Sequence, residues 1–328
     1  MPTDAAQPVR EVILDVDTGV DDALAISFAV RHRGLNVRAI TCVAGNTHVD
    51  QVVTNTLTVL DQLGAPDIAV ARGAERPLLN PVYDATFWHG VDGLADLGLT
   101  PPANRTAVPL GAVELMRREI MASPTPVTLV PLGPMTNIAL LLRTYPEVIE
   151  RLERIVFMGG SASIGNATAV AEFNVWLDPE AAAIVLDSPA PITMYGLDVF
   201  YSVAIESATY TTWQASDDAG VRLVGHLLAR LEHVAGDDPR NAGGAHLGDA
   251  GAVCVVADPS HLVTEHLPVR VETSAGISRG QTVVDRRTLT GEDEVHGTAV
   301  PTHTIDVALG IDAGYYTDLF ATALLGNG

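Results

Sequence analysis

Residues 13–23 read Ile-Leu-Asp-Val-Asp-Thr-Gly-Val-Asp-Asp-Ala and place four carboxylates within eight positions. The apolar run before them predicts a buried strand over residues 12–14, Gly19 predicts a turn, and the apolar spacing after Asp21 predicts a helix. The four aspartates therefore crowd one loop between a strand and a helix. Because like charges in one loop repel each other, a proton or a cation must compensate them. Carboxylate oxygens are the ligands that a hard divalent cation prefers.

Helix capping offers an alternative explanation for part of this acidic loop. Thr18 would be an ordinary N-cap, and Asp21 or Asp22 in the first turn would complement the helix dipole. Capping does not explain Asp15 and Asp17, because aspartate is disfavoured in strands. The four residues together therefore favour a cation site.

The composition of the chain excludes several classes of protein. Its 328 residues are 47% hydrophobic, yet no apolar run approaches the ~20 residues that span a bilayer. The net charge is −21 and the basic residues form no cluster, so a nucleic-acid partner is not expected. All nineteen basic residues are arginines, and the lack of lysine excludes a Walker A phosphate loop and Schiff-base chemistry.

The first residues and the cysteines indicate the cellular compartment. Residues 1–10 contain Asp4 and no apolar core, so they match neither a signal peptide nor a transit peptide. Cys42 and Cys254 stand in apolar surroundings without metal-finger spacing, which predicts two buried free thiols. We therefore expect a cytoplasmic protein with no membrane partner.

Short β-branched runs alternate with helical patterns over the first two-thirds of the chain. This alternation predicts an α/β fold, in which a mostly parallel, doubly wound open sheet carries helices on both faces. The C-terminal third, from about Leu197, is expected to be irregular and to contain a glycine-rich loop over residues 236–248. Since no repeat or long linker is present, residues 1–328 are expected to form a single domain. The predicted strands are 12–14, 37–43, 68–71, 127–131, 155–158, 191–195, 269–272 and 304–307, and the predicted helices after the first are 49–63, 112–121, 136–142, 179–186, 221–234, 253–257 and 316–325.

Polar groups follow several of the predicted strands. They are candidates for one site, because ligands bind beyond the carboxyl ends of parallel strands. Asn46 follows the second strand, as a site residue or as a turn cap. The Leu132 carbonyl stands between two prolines after the fourth, where it faces a metal or only completes a turn. Glu172 and Asn174 alternate around Phe173, which predicts an extended segment with both polar groups on one side, the alternative being a solvated loop.

Two further segments carry polar side chains. Trp88 and His89 lie in a long irregular loop, where an aromatic ring beside an imidazole suits a planar ligand, and a structural histidine is the alternative. His246 and Asp249 precede the helix predicted at 253–257. Asp249 is then either an N-cap or, if that helix packs beside the first strand, a fifth carboxylate for the acidic loop.

Taken together, these motifs resemble those of the inosine-uridine-preferring nucleoside hydrolases. That family opens with a strand that ends in Asp-x-Asp-x-Gly-x-Asp-Asp, and residues 15–22 match this motif in place. Further matches follow in the same order over nearly the full length, at 45–46, 89–90, 129–131, 136–139, 158–160, 165–168, 171–174, 178–182, 196–198 and 258–260.

The resemblance implies calcium-dependent hydrolysis of the N-glycosidic bond of ribonucleosides of the inosine and uridine class, with release of base and ribose. It implies a calcium ion held by Asp17, Asp22, Asp249 and the main-chain carbonyl of Leu132. Asp17 would also be the general base for the attacking water. A homodimer or homotetramer is implied as well. The residues implied in ribose binding are Asp21, Asn46 and Asn174, with Asn166 and Glu172 near the 5′-hydroxyl.

Elementary chemistry agrees with this assignment. Cleavage of an N-glycosidic bond builds positive charge on the ribose, and a pocket rich in carboxylates stabilises that charge. A calcium ion beside a carboxylate lowers the pKa of a neighbouring water. If the 2′- and 3′-hydroxyls bind the ion, deoxyribose leaves buried polar groups unsatisfied, so strict selectivity for ribose is expected.

One position departs from the family pattern. Many relatives have a histidine immediately before the last calcium-binding aspartate, and this chain has Gly248 there. His246 and His89 are the candidate proton donors to the leaving base. Trp88 is the alternative, because an indole stacked on the base raises its basicity, as in purine-selective relatives. Purine nucleosides are on this ground a candidate for the preferred substrates.

Two other functions stay open on the sequence. Residues 15–18 superficially match the nucleophile motif of haloacid-dehalogenase-type phosphatases, but Val253 stands where the second metal-binding aspartate should follow Gly248 and Asp249. A noncatalytic nucleoside- or calcium-binding protein is the other alternative. Such a protein would not need a general base at Asp17.

Overall fold

In a computed structural model of the chain, which describes residues 9–236, 244–289, 291–297 and 302–326, strands and helices alternate along the sequence. The strands are β1 (Arg10–Val16), β2 (Leu35–Cys42), β3 (Ala69–Arg72), β4 (Val127–Pro131), β5 (Leu152–Met158), β6 (Ile192–Tyr195), β7 (Ala204–Ile205), β8 (Ala245–His246), β9 (Leu262–Val271), β10 (Thr282–Val284) and β11 (Thr304–Ile311). The helices are α1 (Val20–Arg31), α2 (Val49–Gln62), α3 (Thr86–His89), α4 (Ala112–Ala122), α5 (Thr136–Thr144), α6 (Phe173–Leu177), α7 (Pro179–Leu186), α8 (Leu197–Phe200), α9 (Ser207–Gln214), α10 (Ala219–Ala235), α11 (Asp249–Ala257), α12 (Glu292–Val295) and α13 (Ala313–Leu324).

Within the described residues, nine strands form one sheet in the order β10-β9-β11-β6-β5-β4-β1-β2-β3. Neighbours from β11 to β3 run parallel, whereas β9 is antiparallel to β11 and β10 is antiparallel to β9. The predicted mostly parallel α/β sheet is confirmed. Because β1 is flanked by β4 and β2, the acidic loop that follows it opens among the carboxyl ends of the parallel strands.

Helices cover both faces of the sheet and bury two apolar cores. On one face, Phe28 of α1 packs in the same core as Leu14 of β1. On the other face, Ile138 of α5 packs in the same core as Ile13. Successive residues of β1 thus enter opposite cores, which is the pattern of a parallel strand buried on both faces. This double burial fixes the position of the acidic loop.

The C-terminal third departs from the alternating pattern, as predicted, but contains more strand than its sequence indicates. β9 begins before the predicted 269–272 and β11 ends after the predicted 304–307, because all of β11 pairs antiparallel with residues 262–268 of β9. The helix predicted at 253–257 begins earlier, at Asp249. Residues 237–243 of the predicted glycine-rich loop lie outside the described residues, and the end of that loop forms β8, which pairs with β7.

Both cysteines are buried and free, as predicted. Burial raises the pKa of the Cys42 thiol to about 12, so the thiol stays protonated and unreactive at neutral pH. In the ranges that the structure describes, no helix is long and apolar enough to cross a membrane.

Candidate active site

A cavity of about 420 Å³ opens at the carboxyl ends of the central parallel strands. Part of its lining is polar, and the rest is mostly aromatic and aliphatic. Asp17 and Asp22 are buried and do not belong to the lining. The residues singled out from the sequence that do line it are Asp21, Asn46, Trp88, His89, Leu132, Asn166, Glu172, Asn174, His246 and Asp249.

The Asp22 carboxylate holds the start of α1. It accepts hydrogen bonds from the backbone N–H groups of Gly19, at 2.9 Å, and Asp17, at 3.2 Å. The Asn46 side-chain amide also donates to it, at 3.2 Å. Burial and the charge of Asp21 raise the pKa of Asp22 to about 7. Capping and membership of the acidic cluster are therefore combined in this one residue.

Asp17 is enclosed by the two loops that follow β2 and β4. Its Oδ2 accepts a hydrogen bond from the Asn46 backbone N–H at 2.8 Å. Gly45 and Gly133 both pack against its carboxylate so closely that a methyl group at either position would collide with it. Burial and the charge of Asp22 raise the pKa of Asp17. The loops after the neighbouring strands β2 and β4 thus pack closely around the Asp17 carboxylate.

Asp21, Asp22 and Asp249 form a cluster whose oxygens lie within 4.8 Å of one another. Asp249 reaches it because α11 packs against α1, whereas the arrangement considered from the sequence was packing beside the first strand. Burial and the charges of Asp21, Asp22 and Asp17 raise the pKa of Asp249. The predicted carboxylate ligands were Asp17, Asp22 and Asp249, whereas this cluster of described residues contains Asp21 and not Asp17.

The donor atoms of the cluster are of the kind that binds a hard divalent cation. Asp21 Oδ1 is buried and accepts no hydrogen bond from the described residues, although an oxygen of this kind normally has a partner. The Leu132 carbonyl lines the same cavity and accepts one hydrogen bond, from the Asn174 side chain at 2.7 Å. A carbonyl oxygen has a second lone pair for another ligand. All of these donors are oxygens, as calcium prefers.

Asp15 lies away from the cavity and supports the loops around it. Its Oδ1 accepts hydrogen bonds from Thr41, at 2.5 Å, and from the Asn137 side chain, at 2.8 Å. Asn137 also donates to the Cys42 carbonyl and accepts from the Ala74 N–H. Burial raises the pKa of Asp15 to about 7. This network joins the ends of β1 and β2 to the start of α5.

The prediction of an extended segment at Glu172 and Asn174 is wrong, because Phe173–Leu177 forms α6. The Glu172 carboxylate caps this helix by accepting from the N–H groups of Asn174 and Val175 at 2.9 and 3.1 Å. Both predicted polar residues nevertheless line the cavity. Burial raises the pKa of Glu172 to about 7. Asn166 accepts from the Phe173 N–H at 2.9 Å and so joins the same wall.

His89 and Trp88 belong to the short helix α3, inside the loop that looked irregular in the sequence. The Val20 N–H donates to His89 Nδ1 at 3.1 Å, which places the ring proton of a neutral His89 on Nε2. Burial lowers the pKa of His89, with the Arg230 cation adding to this effect against the charge of Asp21. His89 is thus held as a neutral hydrogen-bond donor beside the acidic cluster.

His246 enters the cavity from β8, on the side of the aromatic residues. Its ring packs edge-on against Tyr201 at 5.4 Å between centroids and near Phe200 at 6.2 Å. Gly248, at the position where relatives have a histidine, has a φ of +53°. A Cβ there would lie 2.9 Å from Phe200. The backbone and Phe200 therefore exclude a side chain at this position.

Several cavity residues were missed by the sequence reasoning. Phe200 and Tyr201 follow β6 closely, so the rule that ligands bind beyond strand ends was a usable signal for them. Leu231, Glu232 and Ala235 come from the end of α10. Their place depends on how this helix packs, for which the sequence carries no local signal.

Three comparisons with known proteins identify the family of this chain. The family described as inosine-uridine preferring nucleoside hydrolase matches residues 12–318. The pyrimidine-specific ribonucleoside hydrolase RihA of Shewanella sp. (strain MR-4) is 40% identical over 315 residues, which is 96% of each chain. The purine-preferring ribonucleoside hydrolase from Gardnerella vaginalis has a TM-score of 0.87 at 30% identity, over 97% of this chain and 99% of that one. The plant nucleoside hydrolase PpNRh1 has a TM-score of 0.89 at 27% identity, with the same coverage.

These matches decide among the functions that the sequence left open. They span nearly the whole chain and include the acidic loop, so the phosphatase alternative has no support. The similar proteins are enzymes by name, which disfavours a noncatalytic binding protein. The chain belongs to the inosine-uridine preferring nucleoside hydrolase family and is a ribonucleoside hydrolase.

Proposed function

We propose that this ribonucleoside hydrolase works with a calcium ion held by Asp17, Asp22, Asp249 and the Leu132 carbonyl. The observation that carries the proposal is the convergence of the oxygens of Asp21, Asp22 and Asp249 within 4.8 Å. Asp17 is not a member of this cluster but adjoins it, because its backbone N–H donates to the Asp22 carboxylate. Burial, together with repulsion among the carboxylates, raises the pKa of Asp22 and Asp249, and a divalent cation would relieve that repulsion. An all-oxygen donor set favours calcium over softer metals.

Asp17 is the proposed general base. When bound, the cation would lower the pKa of a nearby water and offset the charge of the carboxylates. Asp17 would take a proton from the water that attacks C1′, because its buried carboxylate lies beside the proposed cation site and a positioned carboxylate can act as a general base. The bond between C1′ and the base nitrogen breaks with its electron pair passing to the base. The oxygen of the water joins C1′, and ribose is released.

The remaining polar residues of the cavity are proposed to hold the ribose. Asp21 has a 20% exposed side chain, so it can reach a sugar hydroxyl from the edge of the acidic cluster. Asn46 and Asn174 line the same cavity and are proposed to bind the 2′- and 3′-hydroxyls. Glu172 and Asn166, which α6 brings together, are proposed to contact the 5′-hydroxyl. A deoxynucleoside would leave some of these groups unsatisfied.

His246 is the proposed proton donor to the leaving base. Its ring packs against Tyr201 and near Phe200, on the aromatic side of the cavity. His89 has Nδ1 engaged by Val20, and the Nε2–H of a neutral imidazole donates a hydrogen bond but is a weak acid. We therefore assign His89 to orienting the substrate and His246 to protonating the base.

Pyrimidine ribonucleosides are the proposed preferred substrates. This choice rests on the 40% identical relative, which is named pyrimidine-specific. Purine nucleosides are the second candidate, since Trp88 lines the cavity and offers a surface for stacking, and a similar structure is named purine-preferring. The volume of the cavity, about 420 Å³, admits a base of either class.

A steady-state panel over uridine, cytidine, inosine, adenosine and guanosine tests both assignments. We expect the highest kcat/KM for a pyrimidine, and His246→Ala should lower kcat on it by about a hundredfold, since general acids contribute at least that much. Free ribose is measured as reducing sugar. Higher kcat/KM on inosine would establish the purine candidate instead, and unchanged turnover in His246→Ala would remove His246 as the acid.

A further inference from the structure

The carbonyl groups of α3 are hydrogen-bonded by a residue that has not yet been given a role, Arg230 of α10. A helix end leaves carbonyls without partners inside the helix, and α3 is one turn long. The Thr86 carbonyl accepts from the Gly90 N–H at 3.0 Å, and the His89 carbonyl accepts from the Ala95 N–H at 2.7 Å. The carbonyls of Phe87 and Trp88, which lie between these two residues, accept hydrogen bonds from helix α10.

Arg230 of α10 supplies these two hydrogen bonds. Its Nη2 donates to the Phe87 carbonyl and its Nε donates to the Trp88 carbonyl, each at 3.4 Å. A planar guanidinium carries donors in a fixed fork, so one side chain can bind two neighbouring acceptors at once. Arg230 thus completes the hydrogen bonding of the turn that carries Trp88 and His89.

Arg230 also joins two walls of the cavity. Leu231, Glu232 and Ala235 follow it on α10 and line the cavity, as do Trp88 and His89 on the side of α3. His89 itself contacts Val20, Gly19 and Asp21 near the start of α1. The Phe87 and Trp88 carbonyls of the same turn bind Arg230 of α10. The guanidinium is therefore a direct hydrogen-bonded link between the two walls, in addition to the packing of α3 against α10.

We propose that Arg230 is a positioning residue for substrate binding, which holds Trp88 and His89 at a fixed distance from the end of α10. The proposal rests on the proposed function, in which these residues face the base and orient the substrate. Arg230 does not line the cavity and acts through the α3 backbone. Its loss leaves the carboxylate cluster in place and weakens binding, because misplaced contact residues reduce affinity and rate together.

Arg222 provides a matched control on the same helix. Its Nη1 donates to the carbonyls of Ser216, at 2.5 Å, and Asp217, at 3.3 Å. These contacts have the same chemistry as those of Arg230 but lie away from the cavity lining. Arg230→Met and Arg222→Met each remove a guanidinium and keep an aliphatic stem. Arg230→Lys keeps the charge and removes the fork.

The experiment measures kcat and KM on the best substrate of the panel for the wild type and these three variants, with thermal unfolding alongside. We expect Arg230→Met to raise KM on the order of tenfold, Arg230→Lys to fall between Arg230→Met and the wild type, and Arg222→Met to leave KM unchanged. Wild-type KM in Arg230→Met overturns the proposal, and so does an equal rise in Arg222→Met. If Arg230→Met does not fold, Arg230→Lys decides by the same criterion.

A second readout separates this proposal from the proposed function. Trp88 is one of three tryptophans, and its contribution to acrylamide quenching is the difference between each protein and its Trp88→Phe counterpart. We expect Trp88 to be quenched more strongly in Arg230→Met than in the wild type. In Arg222→Met, we expect the same quenching as in the wild type. This measurement needs no turnover, so an inactive wild type would contradict the proposed function alone. Identical Trp88 quenching in wild type and Arg230→Met would overturn the positioning role.

Discussion

Asp17 and Asp22 lie in the same loop, but their carboxylates are held in place by different contacts. Asp22 accepts two backbone N–H groups at the start of α1, so its carboxylate is fixed by the helix that it begins. Asp17 is fixed by close approach of the glycines at 45 and 133. The aspartates at 15, 17, 21 and 22 thus serve both local folding and the chemistry of the site. The group could be identified from the sequence because its four residues lie within eight positions of one another.

Gly248 gives a prediction at the scale of one residue. Its φ of +53° disfavours any side chain, and a Cβ would meet Phe200 at 2.9 Å. We expect Gly248→Ala to lower the free energy of unfolding by about 1–3 kcal/mol from the backbone alone, and further through Phe200, with loss of turnover because Asp249 follows directly. Chemical denaturation and ribose release measure the two effects.

Gly236 is the control for this substitution. Its φ is +55° and a Cβ there would have no neighbour within 4 Å. Gly236→Ala should therefore show only the backbone effect and keep its turnover. Equal destabilisation by the two substitutions would show that Phe200 does not fill the space at Gly248.

Short elements mark the limit of what the sequence predicts. β1, β4 and α7 match their predicted positions to within a few residues, because their apolar patterns and caps are local. α6 has five residues and exists because the Glu172 carboxylate caps it. α3 is bound by Arg230, which is 142 positions away from Trp88 in the sequence. Contacts at such separation leave no local pattern, so the helical form of α3 and the cavity residues at the end of α10 were missed.

Glu172 gives a prediction at the scale of an element. Its carboxylate accepts from the N–H groups of Gly160, Asn174 and Val175. We expect Glu172→Ala to destabilise the protein by about 1–2 kcal/mol, as loss of a cap does, and to lower kcat/KM because Asn174 moves with α6. Asp312→Ala removes the cap of α13, which accepts from Tyr315. That variant should lose stability and keep kcat/KM, and a matching loss of kcat/KM in it would contradict the role of α6.

Buried carboxyl groups around the cavity destabilise the folded molecule when they are ionised and no cation is bound. Burial raises the pKa of Asp22 from 3.8 to about 7 and that of Glu172 from 4.5 to about 7. The folded state then binds more protons than the unfolded state between those values, so the free energy of unfolding falls as pH rises. The lowered pKa of His89 acts in the opposite direction, but it is one group against several carboxyls.

We therefore expect the chelated protein to lose thermal stability from about pH 5 to about pH 7.5, and calcium to restore stability at the upper end of this range. Differential scanning fluorimetry in EDTA and in calcium chloride, over that pH range, measures both effects. A melting temperature that is independent of pH in EDTA, or that calcium does not raise, would contradict this expectation.

Cation-assisted cleavage of the ribonucleoside is tested most directly by ribose release from uridine after chelation, before and after calcium is added back. Residual metal is measured by atomic absorption. We predict that turnover falls by at least about a hundredfold in the metal-free protein, since metal assistance is worth several kcal/mol, and that calcium restores it. Full turnover in protein shown to be free of metal would contradict the role of the Asp21, Asp22 and Asp249 cluster.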